Sequence, residues 1–395
     1  KNDRSILSAT CLGHFLSHFN MLVFPALLLP LTRRLDMAMG DVLALGFLMY
    51  LLFGLSALPW GLLADRFGAR RLLILFSVGA GLCALWAGLA IDDPGQLRLA
   101  LAGLGLFSGI YHPAGLGWIA KAVSRTAAGM AYNGMFGNLG LATAPLMAGL
   151  VNYFSGPAAV YLLVALFNLL GLLPLLLVRQ SAPSCAVSHP GNKNASWSRF
   201  AVLLLAMMLG GMIYRGTTVT LPALFELRGS GLYGLVAGVL DGGLSANVLA
   251  TAFVSLLYLV AMAGQYAGGR VGERFDLRWG YLAFHALALP AALAMGWLVD
   301  LPLVLVAIYH GFFLLGMQPM ENTLVARLTP PGLHSSAFGL KFVLTFGVGS
   351  LSVQLVRFIA STKGISAVFP VLALLSALLL LVILLLIRLT PPLRS

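Results

Sequence analysis

Charge is what this sequence has least of. Only 9% of its 395 residues are Asp, Glu, Lys or Arg, with twelve acids against twenty-four bases, while 60% are hydrophobic. A soluble domain carries about a quarter of its residues charged, so that class is excluded. Cysteine is nearly absent as well. Cys11, Cys83 and Cys185 share no metal-ligand spacing, which leaves small apolar fillers and one loop thiol rather than a disulfide scaffold or thiolate centre. There is no phosphate-cradling glycine loop, nucleotide motif or nucleophile–base signature. Neither ATP-driven transport nor catalysis is expected, and no cofactor. Strict alternation of apolar and polar residues is missing too, which excludes a membrane barrel.

Apolar runs of about 20 residues, the length of a helix that crosses the hydrocarbon core, fill the chain instead. The mean hydropathy of +0.96 agrees. Twelve spans are expected, at about 6–31, 41–63, 72–91, 98–120, 128–153 and 158–178, then 199–227, 246–268, 279–299, 302–326, 336–360 and 367–388. Residues 179–198, rich in Ser, Pro, Gly, Asn and Lys, read as a cytoplasmic linker between one bundle at 1–178 and another at 199–395. The Asn194-Ala195-Ser196 triplet has the glycosylation form, which carries no weight on the cytoplasmic side. The first span is too long for a signal-peptide core and is expected to be retained.

The net charge of +12 sits in short loops, not along a binding stripe, so nucleic acid is excluded as a partner. The termini, the linker and the even-to-odd loops hold sixteen Lys and Arg, and the remaining loops hold five. The heavier side is cytoplasmic by the positive-inside rule, which puts both termini inside.

One turn is built twice. Gly61-Leu62-Leu63-Ala64-Asp65-Arg66-Phe67-Gly68-Ala69-Arg70-Arg71, between spans 2 and 3, has an echo in Gly269 to Arg278, between spans 8 and 9. Gly61, Asp65, Arg66, Phe67 and Arg70 fall on Gly269, Glu273, Arg274, Phe275 and Arg278. Pro25-Ala26-Leu27 matches Pro222-Ala223-Leu224, Pro113 matches Pro319, and Gly137 matches Gly347. The offset grows from 197 to 208, and the extra residues fit a longer connection around 228–244. Duplication of a six-span bundle explains the series.

The Gly61 to Arg71 turn resembles the signature between the second and third helices of the major facilitator superfamily, and the resemblance runs over the whole chain. It implies an all-α integral membrane fold of twelve transmembrane helices in two pseudo-symmetric six-helix bundles, and a monomeric secondary transporter. It also implies a cytoplasmic gate at Gly61, Asp65, Arg66, Gly68 and Arg70, with Glu273 and Arg274 in the echo, the aspartate meeting cationic or helix-end partners. Gly13-His14-Phe15, Tyr111-His112-Pro113-Ala114-Gly115 and Gly137-Asn138-Leu139-Gly140 are similar to the fosmidomycin-resistance branch of proton-linked exporters, which implies a bacterial inner membrane. Residues 134–149 approximate the antiporter motif of span 5, with Ala144 where a glycine precedes the proline. The arginine common in the fourth helix of proton-coupled members is replaced by Leu99, with Arg98 beside it. Both departures bear on the coupling mechanism.

A charge inside a span costs about 2.5–3.5 kcal/mol on insertion scales, so each is a candidate for function. Arg215, mid-span 7, falls on His18 in the repeat, and both read as substrate contacts. Lys341, at the start of span 11, reads as a cavity residue or as a side chain snorkelling to the interface; Arg357 reads as an interfacial anchor. Glu321 is the most deeply placed acid, a gate lock if it pairs with Lys341 and a proton site if alone. His14 and His18 share a helix face. His14 reads as a proton carrier and His112 as a substrate contact. Two histidines at that spacing suit a metal, but no third ligand is evident and no metal is expected. His285 and His310 read as satisfied bundle residues. Asn133, with Tyr132, offers hydrogen bonds to a substrate or between helices, and Gly134, Gly137 and Gly140 let helices approach closely.

Bases outnumber acids among these candidates. The reading is alternating access with proton-coupled export of a small organic anion or drug, the partners being that anion, protons and the lipid bilayer. Uptake by symport is the alternative, and a lipid flippase or transporter-like sensor the alternative from another class.

Overall fold

Helix covers every one of the expected spans. A computed structural model describes residues 2–178, 196–239, 243–329 and 334–393, and among these there is no strand. Cys185, Asn194, Ala195 and nearly all of the expected linker lie outside the described residues. Nine helices among the described residues are long and apolar enough to cross a membrane, or ten if one bent pair counts as a span. Chain geometry accounts for the shortfall from twelve. Spans 5 and 6 are joined as Thr126–Leu170 with a kink at Gly156, whose φ of 78° disfavours any side chain. Span 2 is divided into Met39–Leu45, Phe47–Leu55 and Ala57–Phe67, each too short to cross alone. Span 9, Leu277–Ala294, holds Arg278 and His285, which lowers its hydropathy.

The chain forms two compact units, Lys1–Val187 and Ser188–Ser395. In the first, span 1 runs as Asn2–Ala26 and resumes as Leu28–Leu35. Pro25 lacks the N–H an unbroken helix needs there, and the break follows at Leu27. Asn20 on span 1 and Asn168 on span 6 exchange amide hydrogen bonds of 3.1 and 2.8 Å, and Asn20 also donates to Ser108 Oγ on span 4 at 3.0 Å. Among apolar helices such bonds fix which spans are neighbours. Span 4 consists of Pro94–Ser108 and Tyr111–Ala122. A Cβ at Gly105 would lie 1.9 Å from the Met49 carbonyl oxygen, so spans 2 and 4 touch backbone to backbone.

In the second unit, span 7 is the unbroken helix Trp197–Arg228. The longer connection after it, expected only as an insertion, contains a helix, Ser230–Val239. Asp300 accepts from the Leu232 amide of that helix at 2.8 Å, and Arg228 donates to the Trp297 carbonyl at 2.9 Å. Span 8 is Ala246–Arg274, span 10 is Asp300–Gly316 with Gln318–Leu328, and span 12 is Val368–Leu389. Span 11 is irregular: His334–Phe342, a π-turn at Val343–Gly347, a 3-10 turn at Val348–Ser350, then Leu351–Lys363. The irregular stretch faces span 7 at Gly211, where a Cβ would lie 2.2 Å from the Thr345 carbonyl oxygen. Phe200, Leu203, Tyr281, Leu324, Leu379 and Ile383 belong to the core that spans 7, 9, 10 and 12 bury between them.

Candidate functional site

The duplicated turns make similar ties within their own units. Gly68 ends span 2 with a φ of 88°, the left-handed region that glycine alone enters freely, and the chain passes straight into Ala69–Leu89. Asp65 accepts a 2.5 Å hydrogen bond from Lys121 at the end of span 4, the cationic partner its motif implies. A Cβ on Gly61 would stand 3.3 Å from that of Pro113, so span 2 lies close to span 4 there. The Arg66 guanidinium lies 5.4 Å from the Phe67 ring centroid.

Arg70 donates to the carbonyls of Leu175 and Leu176 at 2.8 and 3.4 Å, capping Leu172–Leu177, the last described helix of its unit. Its counterpart Arg278 donates to the Ile387 carbonyl at 3.0 Å and to that of Thr390, the end of the last helix of the other unit. The acids do not correspond so closely. Glu273 bonds Arg270 of its own helix at 3.0 Å, Arg274 is exposed, and the buried pair is Arg278 with Asp276 at 2.7 Å. Burial raises the Asp276 carboxyl, but bonds from the Arg278 side chain and the Arg278 and Leu393 amides outweigh it and hold the group below the usual carboxylate range.

In the first unit the structure brings three predicted residues together. His14 and His18, one helical turn apart, have their Nε2 atoms 3.1 Å from each other. His112 joins them from span 4, its ring centroid 5.2 Å from each. The His14 Nδ1 lies 2.8 Å from the Asn133 carbonyl oxygen. A carbonyl only accepts, so this nitrogen carries the proton. The Asn133 amide donates to the Tyr111 hydroxyl at 2.6 Å, and the Tyr111 ring stacks on His14 at 4.9 Å. Tyr132 does not join: it is 57% exposed, because adjacent residues on a helix cannot share a face. Gly137 and Gly140 do seat span 5 on span 1, with a Cβ 2.6 Å from the His14 ring and 2.3 Å from the Phe15 carbonyl oxygen. Gly134 has no such role, since a Cβ there meets nothing within 4 Å.

In the second unit Glu321 is not alone. Lys341 Nζ lies 2.7 Å from Glu321 Oε1 and donates to Asn322 Oδ1 at 2.5 Å, while the Tyr281 hydroxyl donates to Glu321 Oε2 at 2.9 Å. The two charged side chains are only 8% and 4% exposed, so Lys341 turns inward and does not snorkel. His285 meets the Tyr281 ring edge-on at 4.8 Å, and His310 Nδ1 donates to the Ala288 carbonyl at 3.0 Å. The Nε2 atoms of both histidines are buried without a hydrogen-bond partner among the described residues, so neither side chain is fully satisfied. Arg215 is buried at 3% exposure, its guanidinium 5.8 Å from the Tyr214 ring centroid.

The sequence profile of the Major Facilitator Superfamily matches residues 10–257. The chain belongs to that family. A comparison with curated proteins gives no match. Similar solved structures include a bacterial homologue of the human lysosomal transporter Spinster, inward-facing and occupied, at 16% identity over 98% of this chain and 97% of that one, TM-score 0.75. A POT family transporter in complex with 5-aminolevulinic acid gives 15% identity, 98% and 99% coverage and a TM-score of 0.77. The human organic anion transporter MFSD10 gives 17% identity, 97% and 100% coverage and a TM-score of 0.68. At these identities the likeness shows the fold: a multi-pass membrane protein of the major facilitator type.

Within that superfamily fold, sequence reasoning missed Tyr281, Asn322, Tyr111 and Arg278. Arg278 had a signal, its alignment on Arg70. Asn322 had one in standing next to Glu321. Tyr111 was singled out only as part of a motif, and Tyr281 gave none, being one aromatic among many on an apolar span.

Proposed function

We propose that this chain is a secondary active transporter, working by alternating access, that moves a small organic anion together with a proton. The observation that carries the reading is the buried Lys341–Glu321 pair. An ionised Glu321 competes with any anion for the Lys341 ammonium. Protonating the carboxyl removes the competitor and leaves a cation among apolar helices, where it is costly unless an anion meets it. Proton and anion therefore bind together and leave together. Arg215 supplies a second cation that can grip a carboxylate or phosphonate through two hydrogen bonds. The likeness to the MFSD10 organic anion transporter agrees with this substrate class and rests on fold alone. The basic loops support a placement with both termini cytoplasmic, and the resemblance to the fosmidomycin-resistance branch is what favours a bacterial inner membrane.

Export by proton exchange, as in the fosmidomycin-resistance branch, is the second reading, favoured by the glycine seating of span 5 on span 1 at Gly137 and Gly140. The test is transport in proteoliposomes with an imposed pH gradient, offering small carboxylates and phosphonates. Under the first reading an acid exterior drives anion uptake, Arg215→Ala abolishes it, and Glu321→Gln still equilibrates the anion but no longer concentrates it. Uptake driven by an acid lumen favours exchange. Flux of hydrophobic cations or lipids with none of anions refutes both.

A further inference from the structure

The histidine cluster of the first unit has a chemistry that anion transport does not use. We propose that His14, His18 and His112 form a binding site for a divalent transition-metal ion of the zinc class. The ligand nitrogens of the three side chains all lie within 4.8 Å of one another. A tetrahedral zinc with bonds of about 2.0–2.1 Å separates its nitrogens by about 3.4 Å. The His14–His18 pair, at 3.1 Å between Nε2 atoms, is within about 0.3 Å of that separation. Small ring rotations bring in His112, which is buried and lies at equal distance from the other two rings.

The surroundings hold the ligands as metal sites do. His14 gives its Nδ1 proton to the Asn133 carbonyl, which fixes the tautomer and leaves the Nε2 lone pair directed at His18. Tyr111 covers one face of the same ring with an interplanar angle of 18°, and Gly137 leaves room for the ring where any side chain would strike it. The set is three imidazoles with no carboxylate, which suits Zn²⁺, Co²⁺ or Ni²⁺ and does not suit Mg²⁺ or Ca²⁺. Three protein ligands leave one tetrahedral position open for water or an anion oxygen. In the metal-free protein the 3.1 Å contact is a hydrogen bond from His18 to His14, so protons and metal compete for the site. The sequence shows the first two ligands at helical spacing. The third comes from 94 residues further along, on span 4 where it packs against span 1.

The test uses the full chain, purified in detergent with a non-histidine tag, stripped with chelator and titrated with Co²⁺. The expected result is one equivalent bound, with the visible d–d bands of a tetrahedral ion, and displacement by Zn²⁺. His18→Ala and His112→Ala should each weaken binding at least about tenfold while eluting as monodisperse protein. Absence of the bands at millimolar Co²⁺, or unchanged affinity in both variants, overturns the proposal. Should the variants fail to fold, X-ray absorption of the zinc-loaded wild type decides: three imidazole nitrogens support the site, and fewer than three or a shell of oxygens overturns it. The readout is binding, so it stands or falls separately from the transport assay.

Discussion

Lys341 and Glu321 sit twenty residues apart on neighbouring spans, and each is tolerable in the interior only because of the other. Deleting one partner of a buried pair costs about 3–5 kcal/mol, whereas replacing both by apolar or neutral groups costs far less. Glu321→Gln, which strands the ammonium with Asn322, should lower the melting temperature in detergent by many degrees. The double variant Glu321→Gln/Lys341→Met should recover at least half of that loss; a double variant as unstable as the sum of the singles would show that the pair is not coupled. Both residues were legible in the sequence, since any charge in a span stands out. Their pairing was one of two alternatives the sequence left open, because only the packing of span 11 against span 10 decides whether the two side chains meet. The histidines show the same limit. His14 and His18 fall on one face by helical period, but only the packing of span 4 on span 1 brings His112 to them. Tyr132 was taken with Asn133 as a pair, and helical geometry separates them.

At the scale of helices, span 5 lies on span 1 through glycine. Gly140→Ala puts a methyl 2.3 Å from the Phe15 carbonyl oxygen, a backbone atom that cannot step aside without moving the helix. Thermal stability and transport should both fall sharply for Gly140→Ala and stay near wild type for Gly134→Ala, whose methyl meets open space. Equal effects would show that helix propensity, not packing, is what the alanines probe. Asp276, the N-cap of span 9, accepts from the Arg278 amide at 3.0 Å. Its carboxyl is held below the ordinary value in the folded protein. Its contribution is therefore complete above the unfolded value of about 3.9 and is lost as pH falls through the folded one. Melting curves from pH 6 to pH 3 should show a steeper loss for wild type than for Asp276→Asn; parallel curves would refute the assignment. Helix identity was plain from hydropathy in all these elements. Their breaks at Gly46, Ser56 and Met317 were not, because single interruptions in an apolar run leave its average unchanged.

Over the whole molecule, the duplication read from sequence has a structural counterpart in Arg70 and Arg278. Each reaches from the turn after the second span of its unit to the carbonyl end of the last described helix. Arg278→Ala should destabilise more than Arg70→Ala, since Arg278 is buried and also holds Asp276, and chemical denaturation of the two variants tests the order. The described partners of each clasp belong to its own unit, Leu175 and Leu176 for Arg70 in Lys1–Val187, and Asp276, Ile387 and Thr390 for Arg278 in Ser188–Ser395. In genetic terms the reading frame contains two self-fastening products. Two half-genes, translated separately in one cell, should each yield a bundle whose final helix is already secured, and together they should restore the activity of the undivided gene.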